Sequence, residues 1–121
     1  QPGRPTVFAT DGKTACFGLP GNPVATFTVF ELMVRPFLAG LMGHTFAPRV
    51  VQAILEGGLS RRKAERRLTL PVRFSKPGRV EAVDYHGSAH LLSSSRADGL
   101  VALPVGVREI QAGAVVDVRL L

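Results

Sequence analysis

Cysteine is nearly absent from this sequence of 121 residues, tryptophan is missing, and acidic side chains are few. The single cysteine, Cys16, excludes an intrachain disulfide, and with no Cys or His partner at ligand spacing it cannot anchor a zinc site. Its place in the apolar run Ala15-Cys16-Phe17 predicts a buried structural thiol. The first residues, Gln1-Pro2-Gly3-Arg4-Pro5, contain neither an initiator Met nor a secretory h-region, which reads as a cytoplasmic chain excised from something longer. The length excludes two full-sized domains. A hydrophobic content of 45% with 20% charged residues and a mean hydropathy of +0.19 suffices for a core and argues against global disorder.

Positive charge is what the sequence has in excess. Fifteen Lys and Arg against nine Asp and Glu leave +6, and a pI near 10.7 points to a nucleic-acid or anion binder. The charge is concentrated, however. Positions 61–79 carry eight bases (Arg61, Arg62, Lys63, Arg66, Arg67, Arg73, Lys76, Arg79) and one acid, Glu65, for a local +7, and the remaining residues are almost neutral. Recognition of single-stranded nucleic acid needs aromatic stacking partners among the charges. Only Phe74 and Tyr85 lie in or near the segment, and no zinc-finger or RNP1-like pattern occurs.

Local signals organise the chain in two parts. Thr6 to Ala9 and Ala15 to Phe17 flank Asp11-Gly12, a hairpin signal. In Gly18-Leu19-Pro20-Gly21-Asn22-Pro23 the chain turns tightly, Asn22 is placed to cap a helix and Pro23 fits its first position. The exposed N–H groups and positive dipole end of such a helix suit an anion, although a plain strand-to-helix connection would look the same. Phe27, Phe30, Val34, Phe37 and Leu41 then mark one helical face over positions 24–43, with apolar residues on the other sides too, predicting burial against more than one layer. Glu31 and Arg35 stand at i, i+4, Pro36 should kink or restart the helix, and Gly43 ends it. The charges in mid-helix argue against a membrane span. Beyond Pro48 the texture is β, with apolar runs at 50–55, 68–74, 80–85, 100–103 and 115–120 and Gly or Pro at the turns, as in a small barrel or sandwich. The expected fold class is α+β: a β-hairpin and long helix over 1–47, then a small β-barrel over 48–121. His44 reads as a cap or solvent residue, and the pair His86 and His90 does not lie on an evident helix.

Leu19-Pro20-Gly21-Asn22-Pro23-Val24, preceded by Gln1-Pro2-Gly3-Arg4-Pro5 and followed by Phe30-Glu31-Leu32-Met33-Val34-Arg35-Pro36, resembles the third domain of MoeA-type molybdopterin molybdenumtransferases. That family includes the E domain of gephyrin. Gly87-Ser88, Ala97-Asp98-Gly99-Leu100-Val101, Leu103-Pro104 and Glu109-Ile110-Gln111-Ala112-Gly113 resemble its fourth, β-barrel domain, in the same order along essentially the whole chain. The resemblance implies that 1–47 is the end of an α/β molybdopterin-binding domain. It also implies a cytoplasmic, homodimeric enzyme that inserts molybdate into adenylylated molybdopterin with Mg²⁺ and has molybdopterin adenylyltransferase as a functional partner. Pro20, Gly21, Asn22 and Pro23 would line the substrate cleft, joined by Arg66 and by the Ser88 hydroxyl. Gln1 stands where the family often has Lys, and Pro71 where it has an arginine, leaving open whether Arg73 substitutes. The family's acidic metal ligands lie upstream of this sequence, so the chain alone is expected to be inactive. A non-catalytic interaction module of the same fold and a basic barrel that binds nucleic acid are the alternatives.

Overall fold

The computed structural model describes residues 5–83 and 96–121. The chain divides into two compact units, Gln1–Ala47 and Pro48–Leu121. Helix and strand coexist in the α+β arrangement that the local patterns predict.

The first unit begins with a hairpin of β1 (Val7–Thr10) and β2 (Ala15–Gly18), paired antiparallel with Phe8 opposite Phe17. Its turn is held by Asp11, whose Oδ1 accepts from the N–H groups of Lys13 at 2.9 Å and Thr14 at 2.6 Å, while Gly12 takes φ of +88°. A continuous helical run follows: α1 (Pro23–Val29), a π-turn over Phe30–Val34, and α2 (Arg35–Leu41). The π-turn explains how Pro36 is tolerated, because a widened turn just ahead of a residue without N–H lets the helix restart there. At the far end Gly43 adopts φ of +77°. Its N–H donates to the Gly40 carbonyl and the His44 N–H to the Ala39 carbonyl, a Schellman ending. Phe37 packs on both hairpin aromatics, with ring centroids 5.9 Å from Phe8 and 5.2 Å from Phe17. Glu31, buried, pairs with Arg35 at 2.8 Å, and the Arg35 guanidinium lies over the Phe46 ring.

Two expectations fail here. Cys16 is exposed, because strand alternation puts Ala15 and Phe17 on the covered face of β2 and Cys16 on the other. The helix is not buried all round either. Val24, Ala25, Thr28 and Val29 are buried, but Phe30, Leu32, Met33, Leu38 and Leu41 are exposed. Within this unit the hairpin aromatics pack on the side of the helix that carries Phe37. The run Pro23–Leu41 is long and apolar enough to cross a membrane by length and composition, a test that core helices of soluble proteins also pass.

The second unit is a closed barrel of β3 (Val50–Leu55), β6 (Arg79–Ala82), β5 (Leu68–Lys76), β7 (Gly99–Leu103) and β9 (Val115–Leu120), in that spatial order. A small ribbon of β4 (Leu59–Ser60) and β8 (Glu109–Ile110) stands beside it. Pairing is antiparallel except between β3 and β6, where Ile54 and Leu55 run parallel to Arg79 and Val80. Alternation sends Ala53 and Leu55, Val72, Val80, Val101 and Leu103, Val116 and Val118 into one apolar core. Pro71 sits within β5 without breaking the sheet. Its carbonyl accepts from Val83 at 3.1 Å where the ladder to β6 is ending, so the missing N–H removes no interior bond.

The barrel is drawn tight at Gly99. This residue pairs with Val72 on one side and Leu120 on the other, and a Cβ there would lie 2.5 Å from Val118 Cγ1 and 2.8 Å from the Arg119 carbonyl oxygen. Neighbouring Asp98 accepts from the Phe74 N–H at 2.8 Å, beside the irregularity that shifts register between Phe74 and Lys76. The Asp98-Gly99 pair is thus a closure device. Gly99→Ala is expected to lower barrel stability by about 1–3 kcal/mol in urea unfolding. Gly21→Ala, whose added carbon meets nothing within 4 Å, should stay within about 0.5 kcal/mol of the parent.

The Asp11 carboxyl is held below its ordinary value by the Thr14 N–H first and the Lys13 N–H second. A depressed carboxyl stabilises the folded turn above its unfolded value and loses that contribution as pH falls through the folded one. An NMR titration of Asp11 should therefore give a midpoint below 3.8, with the Thr14 amide losing protection only in that acid range.

Candidate functional site

The turn from β2 into α1 holds four of the six residues singled out in the sequence. Pro20 is buried and anchors it, whereas Gly21, Asn22 and Pro23 are exposed. Asn22 has an extended backbone, φ −77° and ψ 122°, and its Oδ1 accepts from Val24 N–H at 3.1 Å and Ala25 N–H at 3.2 Å. Its carbonyl takes the first helical bond, from Thr26 N–H at 2.8 Å. The Thr26 hydroxyl reaches back to the Pro20 carbonyl and fastens the turn to the helix.

This geometry changes which groups can meet an anion. The helix N–H groups of Val24 and Ala25 are taken by the cap, and Pro23 has none. What remains is the other end of the same carboxamide. With Oδ1 turned to the helix, Asn22 Nδ2 has no acceptor among the described residues, and neither has the backbone N–H of Gly21 or Asn22. Open space lies where a Gly21 side chain would be. An oxyanion placed there would meet donors and the positive helix end together.

Arg66 belongs to the second unit, exposed in the loop between β4 and β5. It has no carboxylate partner among the described residues, and its own carbonyl accepts from the Arg61 guanidinium. Arg73 is committed elsewhere, to Glu81 at 2.6 Å. Ser88, Gln1, His86 and His90 lie outside the described residues. Among the described residues, no three of His, Cys, Asp and Glu come together as a metal site, so none is assigned to Mg²⁺. Sequence reasoning missed Arg61. Its acceptors are the backbone carbonyls of Arg66, Pro104 and Val107, and a carbonyl leaves no mark in the residue type that bears it.

A small closed five-stranded barrel following a capped hairpin-helix unit defines the class of protein, and comparison with known proteins gives the family. A profile of the MoeA C-terminal region (domain IV) matches residues 58–121, and the chain belongs to that family. It is 35% identical over 135 aligned residues to the molybdopterin molybdenumtransferase of Staphylococcus epidermidis, covering 99% of this chain and 29% of that protein. It is 31% identical to molybdopterin molybdenumtransferase 2 of Mycobacterium tuberculosis, covering 98% of this chain and 29% of that one. Among solved structures, the molybdopterin biosynthesis MoeA protein of Pyrococcus horikoshii superposes with a TM-score of 0.84 at 32% identity, over 99% of this chain and 29% of the other. The chain therefore spans under a third of the length of these relatives.

Replacing Asn22 with Ala removes the cap and should cost about 1 kcal/mol in thermal unfolding of the first unit, whereas Asn22→Asp, itself a good cap, should cost close to nothing.

Proposed function

We propose that this chain is the C-terminal part of a molybdopterin molybdenumtransferase, a cytoplasmic homodimer that works after molybdopterin adenylyltransferase and inserts molybdate into adenylylated molybdopterin. The observation that carries the reading is the similarity to enzymes of that name along 98–99% of the chain. The turn at Gly21-Asn22 supports it independently, since free donors at a helix start suit a phosphate or molybdate oxygen. In this reading Asn22 Nδ2 and the Gly21 N–H hold substrate oxygens and Pro20 and Pro23 keep the turn rigid, while Arg66 and Ser88 are assigned to substrate binding on the family resemblance alone. Mg²⁺, when bound, neutralises developing negative charge at the phosphates. Its ligands, like most of the catalytic machinery, belong to the upstream part of the protein, and the chain alone is inactive.

Asn22→Asp is the informative test because it keeps the cap while exchanging a donor for a negative charge. In the full-length protein, loss of a hydrogen bond to a charged ligand should weaken binding of adenylylated molybdopterin about 10- to 100-fold. Gly21→Ala should also weaken it while leaving stability untouched. Calorimetric titration reads both, and unchanged affinity in the two variants would remove the turn from the site.

A further inference from the structure

The eight bases at 61–79 are not equivalent in the fold. Arg73 pairs with Glu81, Arg79 lies 3.8 Å from Glu56, and Arg61 is spent on the backbone. Its Nε donates to the Val107 carbonyl at 2.7 Å, and its two terminal nitrogens donate to the carbonyls of Arg66 and Pro104. These acceptors belong to two loops, 61–67 between β4 and β5 and 104–108 between β7 and β8. The same seam contains the β4–β8 ribbon, the bond from Arg61 N–H to the Arg108 carbonyl at 3.0 Å, and the bond from Gly106 N–H to the Ala64 carbonyl at 2.8 Å. Two segments more than forty residues apart in sequence are thereby locked into one surface.

That surface carries Arg62, Lys63, Arg66, Arg67 and Arg108, all exposed, and none has a salt-bridge partner among the described residues. Glu65 and Glu109 are the acids in and next to the two loops. Val105, 64% exposed, adds an apolar side chain.

We propose that the Arg61-locked pair of loops is a docking surface for an acidic segment of a polypeptide. A single exposed ion pair contributes little, so the ligand must carry several carboxylates at once. Fixing the cations on locked loops reduces the ordering cost of meeting them, and guanidinium forks suit carboxylates in bidentate geometry. Neither loop contains an aromatic residue, so single-stranded nucleic acid would find no stacking partner, while Val105 offers contact to an apolar side chain set among acids. The inference goes beyond the substrate reading, and its test leaves Asn22 and Arg66 intact.

The experiment is fluorescence anisotropy with the full-length protein and three labelled probes: a short peptide alternating Glu and Val, its Gln counterpart, and an oligothymidine of similar length. The Glu peptide should bind at least about tenfold tighter than the other two and weaken with salt, and the double substitution Arg62→Glu with Lys63→Glu should reduce its affinity by a similar factor. Arg61→Lys, which keeps the charge but loses the planar fork, should weaken the Glu peptide by at least about threefold. The double variant should keep the thermal midpoint of the parent within about 4 °C, because both side chains are exposed, so a loss of peptide affinity reads the surface and not the fold. Equal binding of the Glu and Gln peptides, oligothymidine binding as tight as the Glu peptide, or an unchanged affinity in the double variant would overturn the proposal. If Arg61→Lys does not fold, the double variant decides.

Discussion

The second unit depends on the close approach of three strands at Gly99. With β5 on one side and β9 on the other, β7 has room there only for a hydrogen, since any side chain would strike Val118 and the Arg119 carbonyl. Closure at this point lets Val72, Val101 and Val118 share a core with Leu55 and Val80 across the barrel. Asp98 fills the ladder position that Gly99 ends, accepting from Phe74. The Ala97-Asp98-Gly99-Leu100 stretch that marks the family resemblance therefore has a structural explanation in closure, and no ligand is needed to account for it.

Charge in this chain is sorted by what the fold places beside it. A run of eight bases reads in sequence as one feature, but in three dimensions it is a staple, two paired arginines and a set of exposed cations. Arg61 illustrates why charge alone says little about role. A guanidinium that satisfies three carbonyls is structural, and its value lies in its planar geometry and five donors. The positions around it, held by that staple, are the ones free to meet an anion.

At the start of the helix one side chain has two jobs available to it. Asn22 Oδ1 satisfies the helix, so the Val24 and Ala25 N–H groups are already occupied, and Nδ2 is the donor that the cap leaves over. The distinction matters for reading capped helix termini generally. A cap residue with only an acceptor would have left no side-chain donor, whereas a carboxamide supplies both ends.

The sequence by itself determined the elements whose causes are local. Asp11-Gly12 made the hairpin turn, Asn22-Pro23 started the helix, Gly43 ended it, Glu31 and Arg35 paired, and strict alternation at Leu68, Leu70, Val72 and Phe74 marked the inward face of β5. Each of these depends on residues within a few positions of one another, where side-chain type and backbone preference act directly. Only the tertiary structure decided the parallel pairing of β3 with β6, the need for glycine at position 99, and the role of Arg61. Those depend on which distant backbone is brought alongside. Backbone atoms are the same in every residue, so the sequence carries no mark of where they will be needed.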